Sequence, residues 1–296
     1  MSWWIQEIKL GKMMNINNSK KVSVIICAMN CEEIIGSCLK STLKNDPLEI
    51  IVIDGLSKDD TKKIALKFKN VKVFSDKGKG LAYARRLGAE KAKGEYVLYV
   101  GPDNIMNEGF ISKFVELKTN MCFDAASVQT RVYEPQNFWD YGLDFRWKCL
   151  MGKPGLIEVV GTPSLYDANI FSKVKFSKED LGPHDDTDLA EQLRAKGFRL
   201  GLVSLLVYDQ NNWSAKTTWN RFKWYGTGDY FFYKKYHLGW TLFRKIISIA
   251  HPLNQTLFFS FKAIFSFNIT AFFWLFFTML ARYYGWINKF YQKEIK

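Results

Sequence analysis

Two acidic residues in the N-terminal half of the chain lie at or just after the end of an apolar run. Asp54 ends Ile51–Asp54, and Asp103 follows Tyr96–Gly101 after a proline. A carboxylate at the end of a strand can accept a hydrogen bond from an N–H group of a nucleotide base, which is the role we predict for Asp54. A carboxylate beside a proline turn can hold a divalent cation that bridges two phosphates, which suits Asp103. The alternative for each residue is an ordinary turn former.

A third acidic group, Asp185-Asp186-Thr187-Asp188, opens a helical pattern. We predict that one of these three acids is a general base. The alternative is helix capping, because the helix dipole stabilises acids at a helix N-terminus. The same dipole lowers the pKa of a carboxyl group, so a base that works near neutral pH would need some desolvation.

A basic and aromatic segment, Trp219–Gly226, contains Arg221 and Lys223. Their side chains suit the neutralisation of a diphosphate leaving group. They equally suit a basic amphipathic helix at a membrane surface. The sequence leaves both interpretations open.

The elements that position these residues are predicted from four short apolar runs without polar alternation, which are typical of strands buried on both faces. These runs are Val22–Cys27, Leu48–Asp54, Val71–Phe74 and Tyr96–Gly101. Helical patterns alternate with them at Glu32–Lys44, Lys58–Lys69 and Leu81–Lys93. This alternation predicts an α/β fold with a Rossmann-like, mostly parallel sheet. Ligands bind outside the carboxyl ends of such strands, so Ala28 and Met29 become candidate ligand contacts.

Five motifs then occur in a fixed order: Val22–Glu32, the strand ending at Asp54, Lys79–Arg85, Gly94–Tyr99 and Asp185–Leu193. Together they resemble the family 2 glycosyltransferases, from residue 21 to about residue 226. The resemblance implies a GT-A fold and an enzyme that inverts the anomeric carbon. It also implies a UDP- or GDP-sugar as donor and a hydroxyl group as acceptor.

The resemblance implies roles for individual residues as well. Asp54 would contact the base, Glu32 and Lys79 would lie near the donor, and Asp186 would match the base that deprotonates the acceptor. Asp103 would be the remaining acid of a metal-binding Asp-x-Asp for Mg²⁺ or Mn²⁺, because Gly101 replaces the first acid. Together with the strand-end argument, this gives a predicted donor site of Ala28, Met29, Glu32, Asp54, Lys79, Gly80 and Arg221.

Composition predicts three regions: a flexible extension (1–20), a catalytic domain (21–212) and a basic, aromatic tail (213–296). The catalytic domain would comprise a nucleotide-binding half (21–105) and an acceptor half (106–212). The tail contains twelve Lys and Arg residues against Asp229 and Glu294. Since its aromatic residues lie in long apolar runs, we expect a membrane rather than nucleic acid as its partner. Tyr225-Gly226 resembles a tail motif of membrane-proximal members of the family.

The tail also contains Ala263–Ala281, a run without a charged residue. It predicts either a single membrane span or a re-entrant or interfacial hairpin that turns near Lys262, and a buried helix pair ranks third. The expected acceptor is then lipid-linked, such as a polyprenyl phosphate or a glycan on one. The start of the chain lacks a secretory signal pattern, and five cysteines without a CxxC motif indicate free thiols. We therefore expect the cytoplasmic face of the cell membrane.

Two other functions remain open at this stage. A nucleotidyltransferase on a similar fold would carry a glycine-rich, basic loop after the first strand, and Ala28–Cys31 is not such a loop. A catalytically degenerate sugar-nucleotide-binding protein is favoured by Gly101. The intact acidic group Asp185–Asp188 opposes it.

Overall fold

The computed structural model of the protein describes residues 18–178, 181–210 and 212–294. Most of the predicted extension 1–20 lies outside these described residues. The described chain forms two compact units. The first, here called the sheet unit, contains residues 18–130, 153–178 and 186–210. The second, the helical unit, contains residues 131–152, 181–185 and 212–294, so two of its segments precede residue 213 in the chain.

The strands form one mixed sheet. In chain order they are β1 (Val22–Ala28), β2 (Glu49–Asp54), β3 (Val71–Ser75), β4 (Tyr96–Val100), β5 (Asn104–Ile105), β6 (Ala125–Val132), β7 (Gly155–Leu156), β8 (Ser164–Asp167) and β9 (Leu200–Asp209). Their spatial order is β3-β2-β1-β4-β8-β6-β9-β5, and β7 pairs with β9. The first four strands are parallel, whereas β8 is antiparallel to β4 and to β6, and β5 and β7 are antiparallel to β9.

Strands β1, β2 and β4 are buried on both faces, as their apolar runs predict, whereas the edge strand β3 is only partly buried and exposes Lys72. In β1, Val24 and Ile26 belong to the core cluster on one face, and Ile25 belongs to the cluster on the other. Because both faces are covered, these strands have little freedom to shift register, since a slip of one residue would exchange the two faces. The carboxyl ends of β1, β2, β3 and β4 are therefore held at one edge of the sheet.

Seven helices flank or follow these strands: α1 (Glu32–Leu43), α2 (Thr61–Leu66), α3 (Leu81–Lys91), α4 (Phe110–Asn120), α5 (Phe138–Leu150), α6 (Ile170–Lys173) and α7 (Asp185–Ala195). The prediction of α1 and α3 is confirmed to within two residues at each end. The predicted helix Lys58–Lys69 is shorter in the structure. Residues 58–60 are hydrogen-bonded to the loop after β1 instead of joining α2. In the strand-like run Leu156–Gly161, only Leu156 joins a strand, the two-residue β7.

Three long helices complete the helical unit: α8 (Ala215–Tyr236), α9 (Leu242–Phe265) and α10 (Ile269–Glu294). They share a core cluster with α5 in which Phe222, Phe259 and Trp274 are buried. Two glycines bring the backbones of α8 and α10 into contact. A Cβ atom added at Gly226 would lie 1.8 Å from the carbonyl oxygen of Arg282, and one at Gly285 would lie 2.0 Å from that of Lys223. Gly226 of the predicted tail motif is thus a packing residue.

The uncharged run Ala263–Ala281 does not form one helix. It is divided by a turn at residues 266–268, where Phe267 adopts a positive φ of 51° and is fully exposed. The prediction of a single span is therefore wrong, and the turn of the helix pair lies beyond the predicted position near Lys262. Over the part of the chain that the structure describes, no helix has the combination of length and apolar character that crossing a bilayer requires.

Candidate active site

The carboxyl ends of β1 and β2 form the centre of the candidate donor site. Ala28 and Asp54 are paired in register, and the N–H of Gly55 donates to the carbonyl of Ala28 at 2.8 Å. The Asp54 side chain is buried, and its Oδ1 accepts a hydrogen bond from the N–H of Ser57 at 3.3 Å. Asp54 therefore closes a turn and keeps acceptor capacity on its other carboxylate oxygen. Both sequence interpretations of this residue are compatible with the geometry.

The loop after β1 is tied to the loop after β2. The N–H of Asn30 donates to Ser57 Oγ at 3.1 Å, and Asn30 Oδ1 accepts from the N–H of Lys58 at 2.8 Å. Glu32 belongs to this network, because its Oε2 accepts from the N–H of Asp60 at 2.8 Å. We conclude that Glu32 fixes the shape of the loop pair.

Met29 lies on the same loop pair with its side chain mostly exposed. Its side chain packs against Gly55, where an added Cβ would lie 3.1 Å from the Cβ of Met29. A larger residue at position 55 would therefore push against Met29. The exposed face of Met29 is available to a flat ligand group at the end of β1.

The turn after β3 contributes an acidic residue that the sequence analysis missed. The N–H of Asp76 donates to the carbonyl of Asp54 at 3.0 Å, and the buried Asp76 carboxylate accepts from the N–H of Gly78 at 2.8 Å. Gly78 and Gly80 both have positive φ angles, which favour glycine. The only signal for Asp76 in the sequence is its position directly after strand β3.

Lys79 lies between these two glycines and precedes α3. Its Nζ is 4.7 Å from the centre of the Tyr83 ring, and the side chain is exposed. A lysine held over an aromatic ring near the carboxyl edge of the sheet suits an anionic ligand. Gly80, with a φ of 86°, allows the chain to enter α3.

Asp103 follows β4, which is paired in parallel with β1. A Cβ atom added at Gly101 would lie 2.3 Å from Asp103 Oδ1, so the Asp103 carboxylate occupies the space that a side chain at position 101 would need. Asn104 Oδ1 accepts from the N–H of Gly101 at 2.9 Å and closes the turn. The replacement of the first acid by glycine therefore has a structural consequence, since it lets Asp103 fold inward.

Within the described residues, no group of three or more His, Cys, Asp and Glu side chains is arranged to hold a metal ion. Asp103 supplies one carboxylate. One protein carboxylate, with phosphate oxygens and water as the other ligands, is a donor set that Mg²⁺ accepts. Asp103 thus suits a divalent ion whose other ligands are the oxygens of a bound diphosphate and water. The described residues do not supply a complete set of protein ligands for such an ion.

Two cysteines lie close to Asp103. Burial, together with the charges of Asp59 and Asp103, raises the pKa of the Cys31 thiol to about 11. Burial and Asp103 also raise the pKa of Cys38, whose Sγ donates to the carbonyl of Gly101 at 3.4 Å. Both thiols are therefore protonated at neutral pH, and neither suits a nucleophile or a metal ligand.

The acidic residues at the start of α7 differ in their exposure to solvent. Asp185 and Asp188 are fully buried, whereas Asp186 is partly exposed. Asp186 Oδ1 accepts from the N–H of Thr187 at 2.7 Å. A general base must reach the proton it removes, so accessibility favours Asp186 over Asp185. Asp185 is the last residue of segment 181–185, which belongs to the helical unit. Asp186 is the first residue of segment 186–210, which belongs to the sheet unit.

The segment before Asp186 is anchored within the helical unit. His184 Nε2 is 2.9 Å from Asp229 Oδ1, and Arg282 binds both oxygens of Asp229. Burial alone would raise the pKa of Asp229, but Arg282 and His184 outweigh it and hold that pKa well below its usual range. A Cβ added at Gly228 would meet Pro183 at 2.6 Å, so helix α8 supports this segment closely.

Arg221 also lies in the helical unit, in α8. Its Nε donates to the hydroxyl of Tyr225 at 3.2 Å, and its guanidinium lies 5.7 Å from the ring centres of Trp213 and Tyr225. The other predicted donor residues, Ala28, Met29, Glu32, Asp54, Lys79 and Gly80, lie in the sheet unit with Asp103 and Asp186. The assignment of Arg221 to the donor stays a prediction.

The end of β9 adds two further polar residues that the sequence analysis did not assign to the site. The buried Asp209 pairs with Asn104 between β9 and β5, and the N–H of Gln210 donates to the carbonyl of Asp103 at 2.7 Å. Both residues belong to the edge that carries Asp103. Nothing in the local sequence marks them, because strands β5 and β9 are far apart in the chain.

Comparison with known proteins identifies the family. The model of the family described as glycosyl transferase family 2 matches residues 23–175, more than half of the chain. The chain belongs to glycosyl transferase family 2. The matched range includes Asp54, Asp76, Lys79 and Asp103 and ends before Asp186.

Curated relatives of this family 2 glycosyltransferase are similar to it over short regions. A cholesterol galactosyltransferase of Borreliella burgdorferi is 41% identical over 100 residues, which cover 31% of this chain and 27% of that protein. The Escherichia coli enzyme WfaP, a UDP-Glc:α-D-GlcNAc-diphosphoundecaprenol β-1,3-glucosyltransferase, is 39% identical over 90 residues, which cover 28% of this chain and 35% of that protein. The matched regions thus span about a quarter to a third of these relatives' length.

Solved structures share the fold of the chain. Staphylococcus aureus TarS 1-349 in complex with UDP-GlcNAc superposes with a TM-score of 0.52 at 14% identity, covering 93% of this chain and 92% of that one. GalNAc-T7 with UDP, GalNAc and Mn²⁺ has a TM-score of 0.52 at 18% identity, covering 66% of this chain and 44% of that one. The predicted GT-A fold with a helical C-terminal region is confirmed.

Proposed function

We propose that this family 2 member transfers a sugar from a UDP-sugar to a hydroxyl group of a lipid-linked acceptor, with inversion at the anomeric carbon. The observation that carries the proposal is the polar edge at the ends of β1 to β4. There Asp54 and Asp76 are joined through the backbone, Lys79 follows on the next turn, and Asp103 lies after the neighbouring strand β4. UDP is favoured over GDP because the similar enzyme WfaP is a UDP-Glc-dependent glucosyltransferase, and the similar structures of TarS and GalNAc-T7 are complexes with UDP-GlcNAc and with UDP.

In the proposed reaction, the Asp186 carboxylate takes the proton of the acceptor hydroxyl group. The acceptor oxygen forms a bond to the anomeric carbon as the bond from that carbon to the donor diphosphate breaks, and UDP leaves with its electron pair. Asp186 suits this role because it is the partly exposed member of its acidic group. Its neighbours Asp185 and Asp188 are fully buried and thus less accessible to an acceptor.

The departing diphosphate carries negative charge that must be stabilised. Lys79 supplies one exposed positive charge near the carboxyl edge of the sheet. A divalent ion, when bound with the donor, would neutralise further charge on the phosphates, and Asp103 is the residue that would contact it. Asp54 and the neighbouring Asp76 would receive the uracil base.

The membrane part of the proposal comes from the outer face of α9. Ten large apolar residues on this helix are exposed: Leu242, Phe243, Ile246, Ile249, Leu253, Leu257, Phe258, Phe261, Ile264 and Phe265. Most follow one another at spacings of three or four residues, so they form a stripe along the helix. Exposed apolar stripes beside basic residues are typical of helices that lie in a membrane interface. We propose that α9 and the turn after it rest on the cytoplasmic face of the cell membrane.

The test is a matrix of donors and acceptors. The full chain is incubated with UDP-Glc, UDP-Gal, UDP-GlcNAc, UDP-GalNAc and GDP-mannose, with Mn²⁺ or with EDTA, and release of the nucleotide is measured. Acceptors are a polyprenyl-diphosphate-linked sugar, cholesterol and a free sugar. We expect one UDP-sugar to be used, with transfer to the polyprenyl-linked acceptor. Absence of both hydrolysis and transfer across the matrix, in a preparation that binds UDP, would instead support a degenerate binding protein.

A further inference from the structure

The turn between α8 and α9 concentrates positive charge at the surface of the helical unit. Residues 234–245, here called the α8–α9 corner, contain four basic residues and no acid: Lys234, Lys235, Arg244 and Lys245. All are exposed except Lys245, which is half-buried. From Tyr230 to Gln292 the chain contains no Asp or Glu, so this long segment itself supplies no acidic partner to the corner. The corner is therefore complementary in charge to an anionic partner.

The same corner exposes large apolar side chains. Leu238 is 85% exposed, and Leu242 and Phe243 are each 74% exposed. They lie between the two pairs of basic residues in the chain. A partner that covers this surface must offer negative charge and an apolar layer within a few ångströms of each other. The surface of an anionic bilayer does so, because its head groups lie directly over the acyl chains. Exposed leucines suit acyl chains better than they suit the bases of a nucleic acid.

Packed aromatic rings hold the corner in shape. The rings of Tyr236 and Trp240 are stacked, with centres 6.3 Å apart, and the ring of Tyr233 lies 6.0 Å from that of Trp240. The guanidinium of Arg244 lies 5.3 Å from the ring centre of Trp240, and Lys235 Nζ lies 5.2 Å from that of Tyr236. Tyrosine and tryptophan prefer the head-group level of a membrane, because each has an apolar ring and a polar edge. The arrangement of rings and cations is thus already formed in the free protein.

The two ends of α9 differ in charge. The helix has 24 residues, which corresponds to a length of about 36 Å. At its far end, residues 261–270 contain one basic residue, Lys262, beside the exposed Phe261, Phe265 and Phe267. Attraction to negative charge is therefore concentrated at the α8–α9 corner, whereas the far end offers mainly apolar contact.

We propose that the α8–α9 corner binds the head groups of anionic phospholipids. The basic side chains would contact the lipid phosphates, and Leu238, Leu242 and Phe243 would enter the boundary of the acyl chains. This inference rests on the membrane part of the proposed function and specifies the lipid. A neutral bilayer would satisfy the apolar stripe of α9 but would leave the charge of the corner unmatched.

The experiment is co-sedimentation of the full chain with two kinds of vesicle, made of phosphatidylcholine alone or of phosphatidylcholine mixed with phosphatidylglycerol. At low salt we expect at least about tenfold tighter binding to the mixed vesicles, because each basic residue near an anionic surface contributes about fivefold. Most of this preference should disappear at about 1 M salt, where the Debye length is only about 3 Å. Equal binding to both kinds of vesicle at low salt would overturn the proposal.

The decisive variant replaces the four basic residues of the corner by glutamine: Lys234→Gln, Lys235→Gln, Arg244→Gln and Lys245→Gln. Its affinity for the mixed vesicles should fall by about a hundredfold or more, and its affinity for neutral vesicles should change little. Exchanging lysine and arginine at the same four positions should restore binding to within about threefold, because the charge is kept. Thermal unfolding of all variants checks that the fold is intact.

The matched control removes four exposed lysines from the sheet unit: Lys40→Gln, Lys62→Gln, Lys67→Gln and Lys69→Gln. The change in net charge is the same, so an equal loss of binding in both variants would show attraction by net charge alone and overturn the corner. A single-stranded oligonucleotide provides a second comparison. If the wild type binds it more tightly than the mixed vesicles at equal phosphate concentration, and the corner variant does not, the lipid assignment is wrong.

Sugar transfer separates this inference from the proposed function. If the wild type prefers anionic vesicles through the corner but transfers no sugar, the corner stands and the proposed function fails. If the wild type transfers sugar and binds neutral and anionic vesicles equally, the function stands and the corner assignment is wrong. Absence of binding to either kind of vesicle would overturn both the corner and the membrane part of the proposed function.

Discussion

The sheet unit and the helical unit place their apolar and charged residues in opposite ways. In the sheet unit, the strands bury apolar side chains on both faces, and the polar residues of the candidate site lie at an edge. In the helical unit, α9 exposes an apolar stripe, whereas Arg282 and Asp229 lie buried as an ion pair. A protein surface that meets only water does not favour long apolar stripes. In the proposed function, the polar edge of the sheet unit binds the nucleotide sugar, and the exposed apolar stripe of α9 in the helical unit rests on a membrane.

The largest expected effect is on the rate of sugar transfer, and it comes from a residue of the sheet unit. Asp186→Asn should reduce sugar transfer by about 10²- to 10⁴-fold, because it removes the general base, while UDP affinity changes little. Turnover is measured with saturating donor and acceptor, and UDP binding by thermal shift. Glu191→Gln on the same helix α7 is the control, because it removes an exposed acid that pairs with Arg194. Near-normal turnover in Asp186→Asn would move the assignment to Asp185.

The next effect is on stability and concerns the helical unit. Asp229→Asn leaves Arg282 buried without its counter-charge, which should lower the free energy of unfolding by about 3–5 kcal/mol. Denaturant unfolding measures the change. Glu134→Gln, an exposed acid of the same unit, should change stability by less than about 0.5 kcal/mol. A stability of Asp229→Asn equal to that of the control would show that the buried pair does not hold the helices together.

A smaller effect is expected on donor binding, which depends on residues of the sheet unit. Asp103→Ala should weaken UDP binding about tenfold when Mn²⁺ is present and much less when EDTA is present, because its carboxylate is the protein's contact to the ion. Gly101→Ala should weaken it in the same direction, since the added methyl group displaces Asp103 Oδ1. UDP affinity that is the same with Mn²⁺ and with EDTA in all three proteins would remove the metal from the mechanism.

The smallest effect tests the exposed stripe directly. Phe261→Ser on α9 should weaken binding to vesicles that contain anionic lipid by several-fold up to about tenfold, because the ring no longer enters the lipid. Leu66→Ser, which removes a similarly exposed apolar side chain from the sheet unit, should have no effect. Vesicle co-sedimentation measures both variants. If the two variants lose binding equally or not at all, the contrast between the units is not related to membrane binding.

The parallel part of the fold and its strand ends were predictable because the signal is local. Each buried strand is a continuous apolar run, and an acid lies at its end, as Asp54 does in β2, or shortly after it, as Asp103 does after β4. Asp76 was missed because one acid in a turn rich in lysine and glycine resembles any other turn. Asp209 was missed because it reaches the site only through pairing of β9 with β5, which depends on contacts between distant parts of the chain.

The helical unit was less predictable for two physical reasons. Helix α5 is lined with aromatic residues on more than one face: Trp139 and Trp147 pack on the core cluster, whereas Phe138 and Tyr141 are exposed. The helical periodicity of apolar residues is therefore difficult to recognise in the sequence of α5. The run Ala263–Ala281 appeared continuous because hydropathy does not register a turn whose residues are themselves apolar, and Phe267 is such a residue. The aromatic residues of α5 are thus buried on one face only.

The glycine contacts between α8 and α10 bear on the surroundings in which the helical unit can stay folded. At Gly226 and Gly285 the two helix backbones touch directly, and no side chain separates them. Close packing of this kind depends on van der Waals contact between small residues, which does not require the release of water. Helix pairs that depend on the hydrophobic effect weaken when their surroundings become as apolar as their interface. The α8–α10 pair should instead keep one geometry in water, among lipid head groups and in detergent.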